Sequence, residues 1–152
     1  MGVSKGPEKD SLFRVQSSIN NDSLRCDSLV HFAKKYLKKP YCYGSRAPKC
    51  FDCSGYLQFV YSKFNVSLPR SSEDMAYVGK FISFKNAKAG DLIFFNGSKA
   101  NNETIGHVGL VTSCHGDKIF FIHASVHSGV VVSNTLESYY QKRLLFVKRV
   151  EL

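Results

Sequence analysis

Residues 49–61, KCFDCSGYLQFVY, place two cysteines three positions apart directly ahead of an apolar run. Asp52 is a favoured N-cap type, and Tyr56, Leu57, Val60 and Phe64 recur at the 3.6-residue period. The spacing therefore predicts a helix opening at Asp52, with Cys53 in its first turn. Unpaired N–H groups and the positive end of the helix dipole favour a thiolate there, which predicts a Cys53 pKa below the free value of about 8.5. Gly55 costs a helix roughly 1 kcal/mol relative to Ala, so it implies either close approach to the backbone or a tolerated residue near a frayed end.

Upstream, Leu29, Val30, Ala33, Tyr36 and Leu37 follow helical spacing until Pro40, with Lys34, Lys35 and Lys38 on the other side. Residues 1–21 are polar with little periodicity and read as a flexible arm, which leaves 22–152 as one domain. Downstream, Ser71 followed by Asp74 three residues later predicts the cap of a short third helix, ended near Gly79. Beyond it the texture changes: GDLIFF, HVGLVTS, KIFFIHAS, GVVVS and LLFVKRV are short β-rich runs separated by turn residues. Helices first and strands later predict an α+β domain with a mostly antiparallel sheet of about five or six strands.

The chain has 152 residues, 43% of them hydrophobic, enough for one sizeable core and too few for two. A net charge of +9 suits an acidic partner or a solubilising surface, and does not choose between them. No run of eighteen apolar residues exists, so no transmembrane segment is expected; the polar start lacks the apolar core of a signal peptide and would suit a mature form. Five cysteines cannot all pair within the chain, so at least one thiol is free or pairs between chains. Cys50-x-x-Cys53 and His123-x-x-x-His127 have zinc-pair spacing, but a helical region and several strands separate them, unlike the short linker of a zinc finger. A redox Cys-x-x-Cys would sit in a βαβ context that this order of elements lacks. Disulfides Cys42–Cys50 or Cys26–Cys114 suit an oxidising compartment, and the sequence does not decide them.

A nucleophilic Cys53 needs a base within reach and a third group to hold that base's tautomer. A hairpin turn centred on His115 would set Val111 against Ile119, Gly109 against Phe121 and His107 against His123. A slip of one residue would turn one histidine to the other face.

FDCSGYLQFVY, LPRSS, GDLIFF, HVGLV and FIHAS in this order resemble the NlpC (NlpC and p-sixty) family of cell-wall cysteine peptidases, over about residues 24–150. The resemblance implies a compact papain-like fold and hydrolysis of the bond between γ-D-glutamate and diaminopimelate or lysine in peptidoglycan stem peptides. It also implies roles: Cys53 the nucleophile, His107 the base, His123 its orienting partner, and Tyr41 a donor to the oxyanion. Asp52, Ser54, Arg70, Ser71 and Ser72 match segments that line the substrate groove in relatives. The chain departs from the family pattern at Gly44-Ser45, at the extra Cys50, in the longer NGSKANNETIG segment, and at Ser71, where some relatives carry an acidic residue. No metal or other cofactor is needed by this mechanism. The expected partner is peptidoglycan, with no nucleic acid, for a monomer in the bacterial envelope or secreted, compatible with a lipid anchor upstream. A non-catalytic wall-binding module, or an amidase or acyltransferase on the same scaffold, are the alternatives.

Overall fold

The computed structural model describes residues 8–152. Helix α1 (Glu8–Lys34) is followed by strands β1 (Arg46–Ala47) and β2 (Cys50–Phe51), helix α2 (Cys53–Ser62) and helix α3 (Ser72–Met75). Strands β3 (Lys80–Ile82), β4 (Leu92–Phe95), β5 (His107–His115), β6 (Lys118–Ser125) and β7 (Gly129–Asn134) come next, then helix α4 (Ser138–Gln141) and strand β8 (Leu144–Arg149). The six longer-range strands form one antiparallel sheet in the order β3-β8-β4-β5-β6-β7. The five expected strands are all present, and β3 joins them at an edge. Helices α1, α2 and α3 cover one face of the antiparallel sheet and the short α4 sets Tyr140 against the other, which makes the domain α+β, as expected.

Helix α1 begins well before the apolar positions that announced it. Residues 8–21, expected as part of an arm, are helical, because Glu8–Lys34 contains neither Gly nor Pro to stop the turn. Residues 1–7 of that arm lie outside the described residues. The helix also ends earlier than Pro40, at Lys34, so Leu37 is exposed instead of packed.

The core has two sides. Leu29 and Ala33 of α1 and Tyr56, Leu57, Val60 and Tyr61 of α2 pack on Leu92, Phe94, Val108, Leu110 and Ile122. On the opposite face Ile93, Phe95, Val111, Ile119, Phe121 and Val147 form a second cluster. Alternate residues of β4 therefore serve both clusters, which is why LIFF reads as a continuous apolar run. Buried Asp91 is held by a two-pronged ion pair from Arg149 (2.8 and 3.0 Å), tying β8 to the start of β4.

The β5–β6 register differs from expectation. The turn is tight, with His115 opposite Lys118 and Ser113 opposite Phe120. Continued unchanged, that pairing would put His107 and His123 on opposite faces. A bulge at Thr112 inserts one residue, so that Val111 faces Phe121 and Leu110 faces Ile122, and the parity is restored. His123 thus lies across from Gly109, diagonal to His107 and not directly opposite it. An added Cβ at Gly109 would come within 2.9 Å of the Phe121 ring and 3.4 Å of His123 Cβ, so Gly109 leaves the room that the diagonal contact needs.

Candidate active site

Helix α2 starts where the sequence places it. Asp52 is the N-cap, its carboxylate accepting from the Gly55 N–H at 2.6 Å. Gly55 has a specific reason: a Cβ there would lie 2.3 Å from the Ser45 carbonyl oxygen, so the loop carrying Tyr41 and Ser45 can seat on the helix start only against glycine. Cys53 is half-buried in this first turn.

The thiol itself departs from expectation. Burial first, and the Asp52 carboxylate second, push the Cys53 pKa above its ordinary value, while the backbone N–H groups of Ser54, Val108 and Cys53 pull it down. The helix-start effect is real, but desolvation outweighs it. The resting Cys53 side chain is therefore a neutral thiol. Its approach to the Val108 N–H also sets it beside the residue that follows His107.

His107 Nε2 and His123 Nδ1 are 2.8 Å apart, with the rings nearly perpendicular at 80°. Burial lowers the His107 pKa to about 4. Burial and then the neighbouring His107 lower that of His123 to about 2. Both rings are neutral near pH 7, and Nδ1 is the His107 ring nitrogen that His123 does not engage. His123 is fully buried, against Phe121 and Tyr140, and its Nε2 lies 2.9 Å from Ser133 Oγ.

Tyr41 is placed by three ties. The Lys38 and Val130 backbones exchange with Val130 and Lys39 across to β7 (2.8 and 2.9 Å), Tyr41 bridges Phe51, and a disulfide joins Cys42 to Cys50. Burial, and after it the neighbouring Cys53 and Asp52 side chains, raise the Tyr41 pKa, so its phenol stays a donor beside the thiol. With Cys50 in the disulfide, Cys50-x-x-Cys53 is neither a zinc pair nor a redox pair, whereas Cys26 and Cys114 stay free.

The five groove candidates divide. Arg70 forms a two-pronged pair with Asp52 (2.6 and 3.1 Å) and donates to Ser54 Oγ at 2.8 Å, joining three of them in one network next to Cys53. Ser71 caps α3 through the Asp74 N–H, and Ser72 opens that helix, partly exposed. Beyond His107 lies a cavity of about 490 Å³, bounded among others by Asn96, Ser98, Ser125, His127 and Tyr140. Of these residues only His127 was singled out in the sequence, for its spacing from His123 and not for a place in the site. Buried Asn96 anchors the long segment that walls the cavity, donating to Asn102 and Thr104 carbonyls at 2.8 and 2.9 Å. Its position at the end of the apolar run GDLIFF was the available signal, since a polar residue there must be satisfied if buried.

Comparison with known proteins identifies the family and the fold. The model of the NlpC/P60 family matches residues 38–149. The murein DD-endopeptidase MepS/murein LD-carboxypeptidase of Escherichia coli K12 is 34% identical over 149 residues, covering 95% of this chain and 75% of that protein. The gamma-DL-glutamyl hydrolase of Bacillus subtilis is 32% identical over 125 residues, 81% of this chain but only 29% of its own length. A solved structure from Staphylococcus aureus Mu50, described as similar to lipoprotein of the NLP/P60 family, superposes with a TM-score of 0.71 at 33% identity, covering 83% of this chain and 42% of that one. With a family model matching most of its length and a relative 34% identical over nearly all of it, the chain belongs to the NlpC/P60 family of endopeptidases and peptidoglycan hydrolases.

Proposed function

We propose that the chain is a peptidoglycan endopeptidase that opens the γ-D-glutamyl–diamino acid bond of stem peptides through Cys53, His107 and His123. The observation that carries this reading is the 2.8 Å contact between His107 and His123, which occupies His107 Nε2 and leaves Nδ1 as the ring nitrogen that His123 does not engage, while the Cys53 thiol approaches the N–H of the next residue, Val108. Because thiol and imidazole are both neutral at rest, the thiol gives up its proton as it attacks, and His107 Nδ1 takes it. The Cys53 sulfur bonds to the γ-carbonyl carbon, and the oxyanion accepts from the Tyr41 hydroxyl and the Cys53 N–H. Collapse expels the amine, which leaves with the proton from His107, and a thioester remains. Water then attacks the thioester, handing one proton to His107, and that proton returns to the departing Cys53 sulfur.

The substrate straddles the thiol, one part against Asp52, Ser54, Arg70, Ser71 and Ser72 and the other in the cavity beyond His107. The Cys42–Cys50 disulfide suits an oxidising compartment, in keeping with a site of action in the envelope or outside the cell. The chain's net charge of +9 favours approach to an anionic wall. Among the described residues no helix is long and apolar enough to cross a membrane.

Mass spectrometry of purified stem peptides and cross-linked muropeptides incubated with the protein tests the proposal. Products split between γ-D-glutamate and the diamino acid, absent with Cys53→Ala, are expected. Cleavage confined to the D,D cross-link, the specificity in the name of the Escherichia coli relative, would replace the proposed bond. No cleavage of either substrate would leave a binding role.

A further inference from the structure

Two neutral imidazoles that share one hydrogen bond have two proton arrangements. In the first, His107 carries its proton on Nε2 and donates to His123 Nδ1, so His107 Nδ1 has a free lone pair. In the second, His123 donates through Nδ1, His107 carries its proton on Nδ1, and that atom can no longer accept from a thiol. Only the first arrangement supports catalysis. The contact between the rings is the same in both, so something beyond the pair must choose.

The remaining nitrogen of His123 decides it. In the first arrangement Nε2 bears a proton and needs an acceptor; in the second it is bare and needs a donor. Its partner is Ser133 Oγ at 2.9 Å, on β7, opposite Phe121 in the β6–β7 register. His123 is fully buried, so water does not substitute for that partner. A serine hydroxyl can donate or accept, and its own proton settles which. The Tyr140 hydroxyl lies beside Ser133 and Ser125, and its ring stands edge-on to His123 with centroids 5.2 Å apart. When Ser133 gives its proton to the Tyr140 oxygen, its lone pair faces His123 Nε2 and demands a proton there.

We propose that Ser133, with its proton directed to Tyr140, is a positioning residue that holds the His107–His123 pair in the arrangement with His107 Nδ1 free. The inference rests on the proposed use of His107 as base toward Cys53. It extends the catalytic set by a residue that touches neither substrate nor nucleophile.

Nitrogen-15 NMR of histidine-labelled protein without substrate reads the arrangement directly, and kinetics on one stem peptide read its consequence. In wild type, both histidines are expected to carry the proton on Nε2. Ser133→Ala should move the pair toward Nδ1-protonated forms and lower kcat about tenfold with KM little changed, and Ser133→Thr, which keeps the hydroxyl, should restore both. Tyr140→Phe, which keeps the Ser133 acceptor but removes the atom that takes its proton, should shift the NMR pattern part of the way. Unchanged tautomers in both Ser133→Ala and Tyr140→Phe would overturn the proposal, as would a Ser133→Thr protein that is folded yet no better than Ser133→Ala. Because the NMR arm needs no substrate, a wild-type protein that cleaved no stem peptide would sink the assigned reaction while this test still decided the role of Ser133.

Discussion

Cys53 shows two local effects in competition. The N-terminal N–H groups of α2 stabilise a thiolate, but burial and Asp52 oppose them and prevail. Thiolate-dependent chemistry should follow that balance: iodoacetamide labelling of Cys53, read by peptide mass spectrometry apart from the free Cys26 and Cys114, is expected to climb only at a pH above that of an ordinary thiol, and Cys53→Ala should lose the label on this peptide alone. A plateau reached by pH 6 would mean a preformed thiolate–imidazolium pair instead. His123 offers the second residue-scale test. Asn can accept from the His107 ring N–H and Ala cannot, so turnover should fall from wild type to His123→Asn to His123→Ala, the last by about a hundredfold, with KM nearly constant. Equal turnover of His123→Ala and wild type would reduce His123 to a strand residue. The motifs singled out Cys53, His107 and His123, and the fold sets Cys53 at the start of α2 and the two histidines in contact. The direction of the thiol shift was not legible in the sequence, because it depends on how much water the fold removes.

At the scale of elements, the site is held by devices that lie outside the sheet's own ladder. The Cys42–Cys50 disulfide closes a loop of sequence separation 8 and fixes the segment that carries Tyr41 to the segment that leads into α2. Gly55 allows the Ser45 carbonyl to rest on the helix start. Removing the staple with the double substitution Cys42→Ser, Cys50→Ser should lower stability by about 2–3 kcal/mol on chain-entropy grounds, and should lower kcat by loosening Tyr41. Urea titration and kinetics of this variant check both; a kcat equal to wild type would mean that Tyr41 is held without the disulfide. The sequence offered Cys42–Cys50 and Cys26–Cys114 as equal candidates, and nothing local distinguishes them. Similarly, HVGLVTS and KIFFIHAS announce two strands but not the bulge at Thr112, which arises from fitting a tight turn to two faces that must both be buried.

For the whole molecule, the histidine pair makes folding pH-dependent. His123 takes up a proton near pH 6.5 in the unfolded chain but only at about 2 in the folded one. Between those values the unfolded state binds more protons, so the stability gained by keeping His123 neutral is complete above pH 6.5 and erodes as pH falls. The slope is about 1.4 kcal/mol per pH unit for this group. Chemical denaturation at pH 7 and pH 5 should show a larger loss for wild type than for His123→Asn, and equal losses would mean that His123 is solvated in the folded protein.

Near neighbours in the chain decided much about this protein before any folding. The Asp52 cap, the helix that opens at Cys53, the Ser71–Asp74 cap and the β-rich runs of the second half are local matters of period and propensity, and their order carried the family. Tertiary structure decided which cysteines pair, how far α1 extends, where the bulge falls, that the thiol is neutral, and that Ser133 stands behind His123. Each of these depends on distances between residues remote in sequence and on the water excluded between them, quantities that arise only when α1, α2 and both faces of the sheet are packed together.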